Sequence, residues 1–253
     1  MSNATLENHR IVPRKEWIVA AQALLIKEKE LTRQRDRLAA ERRALPWVKV
    51  DKEYVFTTTA GKRRLADLFE GRSQLVVYHF MWRRELGSGC TGCSFAADHI
   101  DGANLHLPHH DVSLVVCSRA PLADIQAFRE RMGWKFSWVS SYGSDFNFDY
   151  HVSFTPDDLA CGEVYYNYAM VEASIEELPG ISVFYRNAKG DVFHTYSSYA
   201  RGIEEILGAY IWLDLMPKGR NETVLRYSLG DWVRHHDRYE AGGFVDCTGG
   251  YHE

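Results

Sequence analysis

Apolar positions between Arg14 and Leu45 recur at helical spacing, with Trp17, Leu24, Leu31, Leu38 and Leu45 seven residues apart. Pro46, which cannot continue a helix interior, ends the run. The companion heptad column holds Ala21, Glu28, Arg35 and Arg42, so the seam is one column wide and too narrow for a stable zipper. The segment reads as a long helical arm laid along its own domain or a neighbouring subunit, with its Lys and Arg on a solvated face. Beyond Val48 the period changes. Val48 to Phe56 alternates in short stretches, Gly61 supplies a turn, and Arg64 to Gly71 reads as a short helical turn closed by glycine. Leu75-Val-Val-Tyr-His-Phe-Met-Trp82 is almost continuously apolar, as suits a central strand buried on both faces. A helix is expected from Ser94 to Leu107, weakened by Gly102, and then a second buried strand from Val112 to Cys117. Pro121 opens a further helix with Leu122, Ile125, Phe128 and Met132 on its inner face, and Gly133 ends it. Strand, helix, strand and helix in this order imply a parallel βαβ unit with a right-handed crossover.

The second half closes with a hairpin and a helix. Ile181 to Arg186 and Asp191 to Tyr196 flank Asn187-Ala-Lys-Gly190, a turn signal between antiparallel strands. Ile203, Ile206, Leu207 and Tyr210 mark one face of a closing helix stopped by Pro217. From Pro217 to Glu253 periodicity is weak. That stretch reads as a tail packed on the domain, with Gly242-Gly243 and Gly249-Gly250 as flexible chain and not phosphate cradles. The expected organisation is an arm over residues 1–46, a domain over 47–216 and a tail over 217–253.

Composition narrows the class. A chain of 253 residues with 45% apolar content buries a core without a disulfide framework. Its 30 Lys+Arg against 34 Asp+Glu, net −4, argue against a dedicated nucleic-acid binder or a basic membrane-surface protein. Trp134 to Tyr168 is dense in aromatics, yet Lys135 is its sole Lys or Arg, so these rings read as core and pocket lining. No run has the length of a membrane span, and the start shows no secretory pattern. Of five cysteines only Cys90 and Cys93 lie close together, which points to a cytoplasmic chain with one special pair.

Cys90-Thr-Gly-Cys93 has three readings. A zinc site needs a second ligand pair, and none is spaced for it: Cys117, Cys161 and Cys247 are isolated, and His106, His109 and His110 surround Pro108. No metal or cofactor is therefore expected. Buried structural cysteine suits Cys117, and Cys161 by default, but glycines at 87, 89 and 92 leave Cys90 and Cys93 on an open turn. The third reading is redox chemistry. A cysteine at a helix start meets unpaired N–H groups that favour its thiolate, and a second thiol one turn on is placed to resolve a mixed disulfide. Arg83 and Arg84 would add positive potential. His79 reads as a satisfied core histidine, and His235-His236-Asp237 as surface.

Together these elements resemble a thioredoxin-like fold. Pro179 directly precedes the hairpin strand and stands five residues before Phe184, similar to the proline-to-phenylalanine step of thioredoxins. The resemblance implies that Cys90 is the exposed nucleophile, Cys93 the resolving thiol and Pro179 a cis-proline shaping the substrate groove. The hairpin region from Val48 to Leu75 and the insertion between Gly133 and Tyr168 look like the extensions of peroxiredoxin-like members. More closely, Val77-Tyr-His-Phe-Met, Gly89-Cys-Thr-Gly-Cys-Ser-Phe, Trp138-Val-Ser-Ser-Tyr-Gly-Ser-Asp-Phe-Asn and Arg186 to Arg201 resemble a bacterial family catalogued as domain of unknown function 899 and described as thioredoxin-like. Gly89 stands where thioredoxins carry tryptophan, and no peroxiredoxin Pro-x-x-x-Thr-x-x-Cys motif leads into either cysteine. The expected architecture is thus an α/β, three-layer thioredoxin-like fold with a peroxiredoxin-like N-terminal hairpin and central insertion, behind a long helix.

The leading functional expectation is a thiol–disulfide oxidoreductase acting on a protein or small-molecule disulfide. A peroxiredoxin-like thiol peroxidase, or a redox-inactive scaffold, are the alternatives. A homodimer formed through the N-terminal helix is expected; nucleic-acid and membrane partners are not.

Overall fold

The computed structural model describes residues 9–220 and 232–239. Cys247 and both glycine pairs of the tail lie outside the described residues. Helix α1 (Arg14–Arg43) is followed by β1 (Val48–Lys49), β2 (Val55–Thr58), β3 (Gly61–Arg64) and β4 (Gln74–His79). A two-stranded flap, β5 (Trp82–Arg83) and β6 (Ser88–Gly89), leads into α2 (Thr91–Ala97) and α3 (Ile100–Ala103). Then come β7 (Val112–Ser118), α4 (Leu122–Arg131), β8 (Ser137–Ser140), α5 (Phe146–Asp149), α6 (Pro156–Ala160), β9 (Glu163–Tyr166) and β10 (Ala169–Glu172). Strands β11 (Gly180–Arg186) and β12 (Val192–Tyr199) and helix α7 (Gly208–Leu213) complete the domain.

Eight strands form one sheet in the order β1-β12-β11-β4-β7-β8-β2-β3. Strands β4, β7 and β8 run parallel, β11 pairs antiparallel with β4, and β12 pairs antiparallel with β11. A βαβ unit followed by a β-hairpin and a helix, with the first strand of the unit beside the first strand of the hairpin, is the thioredoxin-like arrangement. The stretch from Val48 to Phe56 does not stay together. Strand β1 pairs with β12 at one edge, whereas β2 pairs with β8 near the other.

Strand alternation explains the three layers. In β4 and β7, Tyr78 and Val116 face α2, α4 and α7, packing with Phe95, Ile125, Phe128, Ile203, Leu207 and Tyr210. Leu75, Val77, Val115 and Cys117 face the opposite way, onto Phe69, Phe146 and Phe184. Both faces are covered, which is why β4 reads as an unbroken apolar run. Two expected helices are divided. The one after the cysteines breaks at His99, whose Nδ1 bonds Phe95 O (2.8 Å) while its Nε2 accepts the Ala209 N–H (3.0 Å). The closing helix is a 3-10 turn over Ala200–Ile206 followed by α7, with Ile206 outward and Ile203, Leu207 and Tyr210 buried.

Of the two places expected for the arm, it does not lie along its own domain. No residue of α1 is buried, and its length, about 45 Å, carries the whole leucine column into solvent. It meets the domain near its C-terminal end, where Arg42 bonds Glu205 (3.2 Å) and lies over the Tyr196 ring. In contrast, residues 232–239 do pack: Val233 is buried in the helical-face core, and Arg131 clasps Asp237 (2.8 and 2.9 Å).

Phe184 is fully buried among Phe146, Tyr150 and His194. Phe184→Ala is expected to lower unfolding stability by about 3–5 kcal/mol, read from urea denaturation, because β4 and β12 on either side cannot collapse into the void.

Candidate active site

Cys90 and Cys93 sit where the flap delivers the chain into α2. Cys90 is the N-cap residue of α2, extended at φ −60° and ψ 135°, and is half-buried. Cys93, one turn on, is 1% exposed. Both are free thiols. The two-residue spacing therefore sets a half-buried cysteine at the cap one turn before a fully buried one.

The electrostatics follow from this asymmetry. Cys90 is lowered to about 7, first by a hydrogen bond from the Cys93 thiol, then by the backbone N–H groups of Cys93 and Gly92 and the charge of Arg83; burial opposes these. Cys93 is pushed well above the ordinary thiol range, first by burial and then by the thiol–thiol contact. The surroundings thus favour ionisation of Cys90 and oppose that of Cys93, whose thiol donates to it.

Main-chain bonds hold the pair in place. Cys90 N–H donates to Met81 O (3.1 Å), and Met81 N–H donates to Cys93 Sγ (3.5 Å). The Ser94 N–H and hydroxyl both reach Cys90 O (2.8 and 2.9 Å). The buried Tyr78 hydroxyl lies beside Cys93, and its ionisation is suppressed by burial and by that sulfur. Met81 directly follows the apolar β4 run, so the central strand itself aims these contacts.

Gly89 has a structural reason to be glycine. A Cβ there would stand 2.8 Å from both Phe80 and Phe128. Its carbonyl accepts from His235 Nε2 (3.0 Å), because Arg131 donates to His235 Nδ1 (3.2 Å) and leaves the proton on the other nitrogen. His235 is 3% exposed, which corrects its reading as a surface residue. Burial holds it below the usual imidazole range. The site rim is thus assembled partly from residues 232–239, more than a hundred positions from the cysteines in sequence.

The bond before Pro179 is trans, which corrects the expected cis-proline; no described peptide bond is cis. The segment is pinned in extended form by Leu178 N–H to Val152 O (3.0 Å) and by the Tyr166 hydroxyl, which donates to Pro179 O (2.7 Å). The same Tyr166 hydroxyl accepts the Ala200 N–H (2.8 Å), and burial pushes its ionisation up. Sequence reading missed Tyr166, His235 and Glu177. Glu177 is 6% exposed and was legible only as one acid among several before Pro179.

Other sequence candidates lie apart from the pair or take structural roles. Cys117 is buried, pushed up to about 12, and Cys161 is exposed, contrary to its default reading as a core thiol. His79 is buried with Nε2 on Ser182 Oγ (2.9 Å), as a core histidine. Among the described residues no three His, Cys, Asp or Glu side chains gather as metal donors, and no helix is long and apolar enough to cross a membrane. A groove of about 710 Å³, lined by Leu45, Tyr168, Tyr196 and Tyr199 among others, opens beside β12 and does not include the cysteines.

Comparison with known proteins gives a family and distant structural likenesses. The model of a family described as "Bacterial protein of unknown function (DUF899)" matches residues 6–239. No curated protein matches the sequence. Similar solved structures include peroxidoxin BcpB from Mycobacterium tuberculosis, 13% identical with TM-score 0.39, covering 65% of this chain and 94% of that one. Peroxiredoxin Q of Xanthomonas campestris is 15% identical with TM-score 0.40 over 61% of this chain and 87% of its own. A thiol:disulfide interchange protein DsbE from Chlorobium tepidum, so named provisionally, is 12% identical with TM-score 0.38 over 65% and 97%.

Alkylation by iodoacetamide followed across pH will label Cys90 with a midpoint near 7, rising as pH rises, while Cys117 stays unlabelled in the folded chain. Cys93→Ala removes the leading proton donor and moves the Cys90 midpoint upward. Gly89→Ala will lower stability by about 1–3 kcal/mol in urea unfolding, because its methyl collides with two core rings.

Proposed function

We propose that this chain, which belongs to the bacterial family DUF899, is a thiol–disulfide oxidoreductase working through Cys90 and Cys93. The observation that carries the reading is the split between a cap sulfur lowered to about 7 and a core sulfur kept protonated. The Cys90 thiolate attacks one sulfur of a substrate disulfide, forming a mixed disulfide and expelling the other as a thiolate. Cys93 then surrenders its proton and attacks Cys90 Sγ, releasing the second substrate sulfur. Two electrons pass from the protein dithiol to the substrate, and an external dithiol reductant restores the pair. A cytoplasmic, reducing setting completes this reading, since it keeps the pair as dithiol.

The protein substrate or small disulfide would meet Cys90 at the flap, and Pro179, with its trans bond, enters this reading as a residue of the substrate groove. The test is dithiol-dependent reduction of a disulfide substrate. Wild type is expected to turn over, Cys90→Ser to lose activity, and Cys93→Ser to accumulate a mixed disulfide visible by mass spectrometry. Equal rates for wild type and Cys90→Ser would refute the assignment. Consumption of hydroperoxide without disulfide reduction would favour a peroxidase, in which Cys90 passes through a sulfenic acid that Cys93 resolves with loss of water.

The exposed leucine column of α1 supports a second element, association with another copy of this chain. Trp17, Leu24, Leu31 and Leu38 are each roughly half exposed, with Ile18, Leu25 and Ile26 flanking them. A patch of this kind is of the order of the ~800 Å² per partner that a standard interface buries. Light scattering of the full chain is expected to give a dimer, and Leu24→Glu with Leu31→Glu a monomer with disulfide reduction retained. An unchanged mass in that variant would remove the arm from the contact.

A further inference from the structure

One peptide group connects the thiol pair to a buried acid. Between Met81 and Trp82, the carbonyl accepts the Cys90 N–H (3.1 Å) and the N–H donates to Glu177 Oε2 (2.7 Å). The two atoms belong to one planar, trans unit, so a bond at one end orients the other. The preceding amide, Met81 N–H, is the donor to Cys93 Sγ. Both cysteines are thus held by a two-peptide stretch whose far side is fastened by a carboxylate.

Glu177 is fixed there by its surroundings. It forms an isolated antiparallel bridge with Ser153, and its Oε1 stands 3.7 Å from Arg119 Nε. Arg119 is itself buried, over the Phe148 ring, with Nη2 on Glu176 Oε2 (3.3 Å). Trp82 is wedged against Phe128 and Trp138, so its backbone cannot drift to find another partner for the acid. A buried carboxylate is costly unless it is bonded, and here a main-chain N–H supplies a charge-assisted bond. Such a bond polarises the peptide and makes Met81 O a stronger acceptor for Cys90 N–H.

We propose that Glu177 is a positioning residue for the Cys90–Cys93 pair, acting through the Met81–Trp82 peptide and not by contact with substrate. The inference rests on the reading of these cysteines as the reacting pair. With Glu177 in place, Cys90 stays at the helix cap, within reach of the Gly92 and Cys93 N–H groups and of the Cys93 thiol. Without an acceptor at position 177 the peptide turns, Met81 N–H leaves Cys93, and the Cys90 sulfur loses the donors that favour its thiolate.

The experiment compares full-length wild type, Glu177→Gln and Glu177→Leu by the pH profile of Cys90 alkylation. Gln retains a carbonyl acceptor for Trp82 N–H, without the charge, and is expected to stay closer to the wild-type midpoint than Leu. Leu is expected to raise the midpoint by about half a pH unit or more, slowing alkylation at pH 7 roughly two- to threefold. A Leu variant that titrates like wild type, or Gln and Leu variants shifted equally, would overturn the proposal. Should the Leu variant fail to fold, amide NMR of Cys90→Ser decides the matter. The Trp82 and residue-90 amides should then move together as Glu177, raised to about 7 by burial and by the charge of Glu176 against the bond from Trp82 and the charges of Arg119 and Arg84, titrates; the buried Cys117 thiol also feels its charge. Adding Glu177→Gln should flatten both curves. A residue-90 amide that stays still while Trp82 moves would end the idea. Neither readout needs turnover, so a chain that reduces no disulfide still tests the positioning role separately from the oxidoreductase reading.

Discussion

The hydrogen bond from the Cys93 thiol to the Cys90 sulfur is the interaction on which the site depends. A Cys93 buried to 1% exposure cannot ionise cheaply, so it serves as donor; the half-buried Cys90 is the acceptor. Without that bond and the N–H groups of Gly92 and Cys93, Cys90 loses what lowers it. The fold's task is to hold both sulfurs and these donors in register across a single helical turn.

Three separate parts of the chain maintain it. The central strand β4 runs out into Phe80 and Met81, which supply the floor and the main-chain grips on both cysteines. The flap brings Gly89 against Phe80 and Phe128 so closely that no side chain fits. The segment 232–239 then lays His235 on the Gly89 carbonyl, anchored through Arg131 and Asp237. Glu177 completes the frame from the opposite direction, fastening the peptide on which Cys90 rests. The arm α1 takes no part in this frame, and its apolar column is exposed.

Local rules carried the reading of the chain wherever a pattern sits within one element. The apolar run of β4, the period of the arm, the hairpin signal at Asn187 to Gly190 and the strand–turn–C-x-x-C–helix order all depend on neighbours within a few residues. The same rules did not reach His235 or Glu177. Nothing adjacent to His235 marks it as buried, and its partner Gly89 lies 146 positions away. Glu177 meets Trp82 across 95 positions and looks locally like any acid of a polar loop. Pro179 shows the limit from the other side: its place before β11 was legible, but its trans bond belongs to a segment pinned by Val152 and Tyr166.

What the amino-acid order determined by itself was therefore the inventory and the spacing: a dithiol one helical turn apart, behind a strand buried on both faces, with an amphipathic arm in front. Only tertiary structure decided which cysteine is half-buried and which is sealed, that Gly89 is squeezed between two rings, and that a distant histidine and a distant glutamate bond the backbone beside the pair. The physical reason is range. Periodicity and capping act through adjacent backbone geometry, whereas desolvation and the pairing of buried polar groups depend on whatever the folded chain brings to the same few cubic ångströms.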